Sequence, residues 1–203
     1  MSPPNPKKRR LLTMVVVIAV LVLAYAWYSA RFPTWREEVR LSDGRVITIE
    51  QKRDHIEGRG TRRTWLTFSL PEMGGKQTWD QLLYPSIIDV AHGKVYVIGR
   101  PRGSLQFRFY GHPRYVYVAY EWRNGAFERI PFMSVPERLR QAENVYWCLP
   151  PTGAEWVDLA MKESQLCEVG DDNFPIKRIV DLETRIREAD FWAGLGGNKP
   201  ATE

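Results

Sequence analysis

The sequence predicts a mainly β domain of α+β class, with helices toward its C-terminus, carried behind a single N-terminal transmembrane helix. Three observations lead there. Residues 11–30 form an uncharged apolar run; short alternating segments separated by Gly-containing turns fill residues 35–130; helical spacing takes over after Pro131. With 203 residues, of which 44% are hydrophobic and 26% charged, the chain can bury a core of its own and is not of disordered composition. Its two cysteines exclude a Cys-rich scaffold.

Residues 11–30 (LLTMVVVIAVLVLAYAWYSA) would, as a helix rising about 1.5 Å per residue, cross the roughly 30 Å hydrocarbon layer once. Lys7, Lys8, Arg9 and Arg10 precede the run, and Tyr25, Trp27 and Tyr28 cluster at its far end, where amphipathic rings settle at the lipid–water boundary. This pattern places the N-terminus in the cytoplasm and the domain in the periplasm, anchored to the inner membrane. The rival reading is a cleaved signal peptide, with Ala24-Tyr25-Ala26 as its processing site. A signal-peptide core is usually about 7–15 residues, so the length favours an uncleaved anchor. A buried core helix would show a polar face, and none is present. The expected organisation is a basic segment 1–10, an anchor 11–30, an exported β-rich domain 31–194 and a flexible tail 195–203.

The net charge of +5 resides almost wholly in that basic segment. Residues 1–30 hold four cations and no acid, leaving 25 basic against 24 acidic side chains, a net of +1, for the rest. A nearly neutral domain lacks the basic face that drives nucleic-acid binding through counterion release, so no nucleic-acid partner is expected.

Strand signals begin at once. Residues 35–41 and 45–50 flank Ser42-Asp43-Gly44, and a three-residue loop with Gly44 left-handed sets Val39 opposite Ile47 on one apolar face. Residues 52–61 read as a polar connection. Residues 63–70 alternate, with Leu66, Phe68 and Leu70 on one side; 71–78 read as a loop and 79–90 are ambiguous. Residues 86–90 and 94–99 should pair across His92-Gly93. A meander of 105–110, 115–122 and 126–130 follows, with 111–114 as a hairpin loop. That pairing aligns Arg108, Tyr110, Tyr115 and Tyr117 as an exposed strip of rings with a cation, and lifts His112 beside it. At the next turn a two-residue Asn124-Gly125 loop would oppose Glu121 to Glu128, so a three-residue loop, pairing Val118 with Ile130, is expected.

Toward the C-terminus, Thr152 and Glu155 resemble a capping box before the helically spaced Trp156, Leu159, Ala160 and Glu163. Residues 176–180 could form a last strand, and Asp181 could cap a helix presenting Leu182, Ile186, Ala189 and Trp192 before Gly194 stops it. Export places Cys148 and Cys167 in an oxidising compartment, where a disulfide is the default; closing a loop of roughly 20 residues contributes about 3 kcal/mol. Two buried thiols remain the alternative, and a metal pair lacks further ligands.

No motif names an activity: H-x-x-x-H, C-x-x-C, G-x-S-x-G, Walker and G-x-G-x-x-G patterns are all missing. No cofactor, metal or catalytic residue is therefore expected. His55, His92 and His112 each neighbour turn-forming residues. The carboxylates Glu37, Glu38, Glu50, Asp80, Asp89, Glu121 and Glu128 are numerous, and a glycoside hydrolase needs only two of them across a cleft. The candidate partner surface is Arg108, Tyr110, His112, Tyr115 and Tyr117, since rings on a sheet stack on sugars or receive side chains.

The stretches Trp35-Arg36-Glu37-Glu38-Val39, Leu41 to Ile47, Val97-Ile98-Gly99 and Tyr110-Gly111 resemble those of a loose group of exported, membrane-anchored proteobacterial proteins with no assigned activity. The resemblance implies export and β structure and no mechanism. The expected function is a non-catalytic binding or assembly module of the cell envelope, with the bilayer and an envelope protein or glycan as partners. The alternative is an envelope hydrolase using paired carboxylates on glycan or peptide.

Overall fold

The structure, a computed structural model, describes residues 6–56, 60–150, 154–164, 166–169, 172–175 and 180–196, with side chains for 10–56, 60–150, 154–163 and 180–194. Helix α1 (Pro6–Arg31) leads into β1 (Thr34–Arg40), β2 (Val46–Ile56), β3 (Gly60–Leu70), β4 (Gly75–Gln81), β5 (Tyr84–Ala91) and β6 (Lys94–Arg100). Helix α2 (Ser104–Phe109), β7 (Val118–Arg123), β8 (Ala126–Ile130), β9 (Trp156–Val157), α3 (Leu159–Ser164), β10 (Leu166–Val169), β11 (Asp172–Pro175) and α4 (Leu182–Gly196) follow. One sheet has the order β4-β3-β2-β1-β9 and the other β5-β6-β7-β8, with β10 and β11 forming a separate hairpin. The second sheet is antiparallel; the first is mixed, because β9 runs parallel to β1.

The mainly β class with helices at both ends holds. So does the anchor signal: within Arg10–Arg31 an 18-residue stretch has a mean hydropathy of 2.4 with none of it buried, and the helix is long and apolar enough to cross a membrane. Tyr25, Trp27 and Tyr28 are exposed on it, as is Arg10. The side chains of Lys7, Lys8 and Arg9 lie outside the described residues.

The two sheets pack face to face. Val39, Leu41, Ile49, Leu66, Phe68, Leu70 and Trp79 of the first meet Ile88, Val90, Val95, Val97, Val118 and Tyr120 of the second. Ile87, Tyr96, Ile98, Ala119 and Ile130 form the second sheet's other face, covered by Phe132, Val135, Leu139 and Leu182. Being buried on both faces, β5 and β6 carry near-continuous apolar sequence, whereas β1 to β3 alternate.

The β1–β2 register is the expected one, Val39 opposite Ile47, with Gly44 at φ 91°. β5 and β6 pair across His92-Gly93, both with positive φ, the type I′ geometry whose twist suits a two-residue hairpin. Several expectations need correction. β2 and β3 extend through most of the polar connection at 52–61, and β4 occupies residues assigned to a loop. Asn124-Gly125 is a two-residue turn, with φ 50° and 81°, so Ala119 and not Val118 faces Ile130. Glu121 does oppose Glu128, but Lys94 at 3.0 Å and Arg123 at 2.6 Å neutralise it.

The segment read as strand 105–110 is α2, and β7 begins at Val118, so the hairpin across 111–114 does not form. The helix placed from Thr152 starts instead at Leu159, where the Asp158 carboxylate accepts the Met161 N–H at 2.7 Å; Trp156 is in β9, and Thr152 lies outside the described residues. Asp181 caps α4 as expected, accepting from the Glu183 and Thr184 N–H groups, but the helix runs past Gly194 to Gly196. Of the expected last strand at 176–180, residues 176–179 lie outside the described residues, as do 197–203 of the expected tail. Cys148 carries no free thiol and packs near Trp35, Tyr146, Val157 and Met161. The side chain of Cys167, on β10, is not among those described, so the expected bridge falls outside the described residues.

Gly99 in β6 lies hard against the core. A Cβ there would sit 2.9 Å from both the Leu83 Cβ and the Tyr84 carbonyl oxygen. A backbone oxygen has little room to yield, and the β5–β6 register already shifts between Pro85 and Ile87. Gly99→Ala should therefore lower unfolding stability by about 1–3 kcal/mol, the usual cost of overpacking, read by urea denaturation. An unchanged midpoint would contradict this packing.

Candidate functional site

The two sheets are not hydrogen-bonded to each other where β1 approaches β5, and residues 143–147 fill that seam. A buried extended segment must satisfy its own backbone groups, and here side chains do much of that work. Asn144 donates through Nδ2 to the Arg40 carbonyl at 3.1 Å and the Ile88 carbonyl at 2.8 Å, and accepts the Ile88 N–H at 3.0 Å. One side chain thus bridges both sheets. The N–H groups of Asn144 and Val145 donate to the Ser86 carbonyl, and the Asn144 carbonyl accepts Lys162 Nζ at 3.0 Å.

The next two residues are held by charge. The buried Glu37 carboxylate accepts the Tyr146 N–H at 2.9 Å, pairs with Lys162 Nζ at 2.6 Å and also accepts from the Gln51 amide. Gln51 and Arg53 each donate to the Tyr146 carbonyl at 2.8 Å, and Arg53 reaches the Trp147 carbonyl at 2.7 Å. Arg53 is stacked between Trp35 and Tyr84, at 4.8 and 5.1 Å from the ring centres. Burial pulls its guanidinium down to about 10, opposed by Tyr84, Glu37 and Tyr146. At the start of the segment, Glu143 accepts the Tyr117 hydroxyl at 2.9 Å, with Arg185 and Arg100 at 3.9 and 4.0 Å. Burial and the Glu143 carboxylate push the Tyr117 hydroxyl well up.

Beside this strap lies a cavity of about 310 Å³. Arg40, Ser42, Asp89, Arg138, Glu143, Asn144, Lys162 and Glu163 supply most of its polar lining; Leu41, Leu139, Val145 and Leu159 are apolar. Arg40, Arg138 and Glu163 are solvent-exposed, while Asp89, Glu143 and Lys162 are buried. Asp89 accepts the Ser42 N–H and hydroxyl, both at 3.0 Å, and the Val90 N–H at 2.7 Å. Burial nevertheless pushes its carboxyl above the usual carboxylate range, against the pull of those donors.

The residues of the expected ring strip are not brought onto one face. Tyr110 and Tyr117 are 4% and 1% exposed. Tyr110 donates to Gln81 and Tyr117 to Glu143, so their hydroxyls serve the core. Tyr115 is half-buried against Phe132; His112, half-buried at φ 58°, meets the Phe107 ring at 5.2 Å; only Arg108 is fully exposed. The seven acids singled out by sequence scatter over both sheets. Glu38 accepts the Leu159 N–H, Glu50 pairs with Arg36, Asp80 with Arg63 and Glu121 with Lys94 and Arg123. No group of three or more His, Cys, Asp or Glu able to hold a metal occurs among the described residues. Sequence reasoning missed Asn144, Arg53, Gln51 and Lys162, although strand parity puts Gln51 and Arg53 on the same inward face as Ile49.

No family model matches this chain, and no curated protein or solved structure is similar to it.

Lys162→Met should destabilise the domain by about 3–5 kcal/mol, because it leaves Glu37 charged and buried. Adding Glu37→Leu should restore part of that loss, a double-mutant coupling of about 1–3 kcal/mol by denaturant titration. Strict additivity would mean that the pair does not hold the strap. Asp89 gives a pH signature. With its folded pKa raised, the folded protein binds more protons than the unfolded chain, so its contribution is greatest in acid and is lost as pH rises through the raised pKa. Asp89→Asn should flatten that fall in a pH series of urea midpoints; an unaltered slope would assign the dependence elsewhere.

Proposed function

We propose that the protein is a membrane-anchored, non-catalytic binding or assembly module of the cell envelope, and that its ligand site is the cavity at the sheet seam. The observation that carries this reading is how the cavity's charges are committed. The floor acids Asp89 and Glu143 already accept hydrogen bonds from Ser42, Val90 and Tyr117, and Lys162 is held by Glu37 and Asn144. Arg40 and Arg138 at the rim are exposed and carry no ion pair among the described residues. A concave site with apolar walls, a neutralised floor and two arginine forks at its mouth suits a partner's carboxylate-bearing segment, such as an acidic peptide. Anchoring at the periplasmic face of the inner membrane, with the N-terminus inside, is part of the proposal; it follows from the Lys7 to Arg10 flank and raises the local concentration of a weak binder.

A second reading, hydrolysis of envelope glycan or peptide, draws support from one feature. Asp89, kept protonated longer than an ordinary carboxyl, shares the cavity with the exposed Glu163, and an acid with a separate carboxylate is the minimum a glycosidase needs.

One comparison separates the two. Cross-linking in the native envelope should capture a partner with the wild-type chain and lose most of it with Arg40→Glu/Arg138→Glu, provided circular dichroism shows the variant folded. Unchanged capture would remove the cavity as the site. Turnover of purified peptidoglycan that Asp89→Asn abolishes would replace binding by catalysis.

A further inference from the structure

Helix α2 turns two apolar side chains, Leu105 and Phe109, to solvent. With α1 taken as the membrane span of the proposed function, its last turn is the starting point. β2 runs antiparallel past the start of β1, and its last residues lie alongside the final turn of α1. Lys52 donates to the Tyr28 hydroxyl at 3.0 Å and its ammonium sits over the rings of Tyr28, Phe32 and Trp65. Arg31 donates to the His55 carbonyl at 3.0 Å and pairs with Asp54 at 2.5 Å. The end of β2 is thereby held at the level of Tyr28, one of the rings that mark the lipid–water boundary.

From there α2 is one step away. Asp54 also binds Arg62 at 3.0 Å, and Gln106 of α2 donates to the Arg62 carbonyl at 3.2 Å and accepts the Arg102 N–H at 2.8 Å. On a helix turning about 100° per residue, Leu105 and Phe109 lie some 40° apart, Arg108 flanks them, and Phe107 points the opposite way. Phe107 is fully buried against Trp192 of α4, their rings 5.6 Å apart. Leu105 and Phe109 are 74% and 68% exposed. Arg108, and Arg114 just beyond the helix, are exposed and carry no ion pair among the described residues.

Single exposed apolar residues need no explanation. Two on one helical face, with the unpaired Arg108 beside them and a chain of two salt bridges and one hydrogen bond tying that helix to the end of the span, present what an interfacial helix presents to anionic lipid. We propose that Leu105 and Phe109 insert into the headgroup–acyl boundary of the bilayer that α1 crosses, with Arg108 and Arg114 on lipid phosphates. Attachment at both α1 and α2 then fixes the tilt of the domain, which a single span leaves free.

The test uses the full chain, reconstituted in vesicles of phosphatidylcholine mixed with phosphatidylglycerol. A photo-reactive benzoylphenylalanine is placed singly at Leu105, at Phe109, at Val17 in the middle of α1, and at Val46, an exposed residue at the end of β2 remote from α1. Mass spectrometry after illumination should find lipid adducts at Leu105 and Phe109 several-fold above Val46, falling when the vesicles are phosphatidylcholine alone or when Arg108→Glu/Arg114→Glu is introduced. Adducts at Val17 with none above background at Leu105 and Phe109 would overturn the second contact while leaving the span intact. Adducts at none of the three would overturn both, and cross-links from Leu105 or Phe109 to another polypeptide in place of lipid would make this face a protein interface.

Discussion

The structure depends on how the strap at 143–147 is satisfied. Two sheets that pack face to face leave an open seam wherever their edges are not bonded, and a main-chain segment laid in that seam has no ladder to join. Here Asn144 takes the place of a ladder between β1 and β5, and Glu37, Gln51 and Arg53 serve Tyr146 and Trp147. Burying charge for this purpose is costly by itself. It is tolerated because Glu37 meets Lys162 and two further donors, and Arg53 meets two carbonyls, the Gln51 side chain and two ring faces. Such a pairing adds little net stability over an apolar isostere; what it adds is direction, since Glu37 and Arg53 meet their partners only with the strap in this place.

Direction at the seam also sets the geography of the molecule. β1 leaves α1 at Thr34 and ends at Arg40, and seven residues at about 3.3 Å each carry the chain some 20 Å. The Arg31–Asp54–Arg62 chain lies at its beginning, and the cavity bounded by Arg40 and Ser42 at its end. The same strand thus links the α1 end of the domain to the proposed ligand site and sets the two about 20 Å apart. Lys162 ties α3 to the middle of that strand through Glu37, so movement of α3 would be felt at the cavity and at the strap together.

What was legible in the sequence follows from which forces were local. The β1–β2 and β5–β6 hairpins were read correctly, because Ser42-Asp43-Gly44 and His92-Gly93 carry their own backbone instructions. The like-charge opposition of Glu121 and Glu128 argues against a two-residue Asn124-Gly125 turn only until Lys94, 27 positions before Glu121, and Arg123 neutralise it. Residues 105–110 alternate like a strand, yet they lie between a sheet and α4, and burying Phe107 alone needs only one helical face. Tyr110 and Tyr117 looked like a surface pair, and both turned inward once that hairpin dissolved. The strap was the hardest to see. No local pattern marks Asn144, whose partners Arg40 and Ile88 are brought to it only by the packing of two sheets. Glu37, by contrast, sits at an inward position between Trp35 and Val39, and an acid at such a position announces a buried partner.

Placement of charge also bears on which chemistry the cavity can support. General acid–base work needs a carboxyl with lone pairs free to meet substrate and a pKa near the working pH. Burial raises Asp89 above the usual carboxylate range, but Ser42 and Val90 occupy its oxygens, and freeing them would release the β1–β2 turn from β5. Glu143 accepts from Tyr117 and faces Arg185 and Arg100 through Oε1, while its buried Oε2 has no hydrogen-bond partner among the described residues. Recognition asks less of such groups. Apolar walls contribute area, and of the exposed rim arginines Arg138 is held, among the described residues, only by a 3.4 Å hydrogen bond to the Val90 carbonyl. The same hydrogen bonds that hold the sandwich together thus favour the proposed binding role over the hydrolytic one.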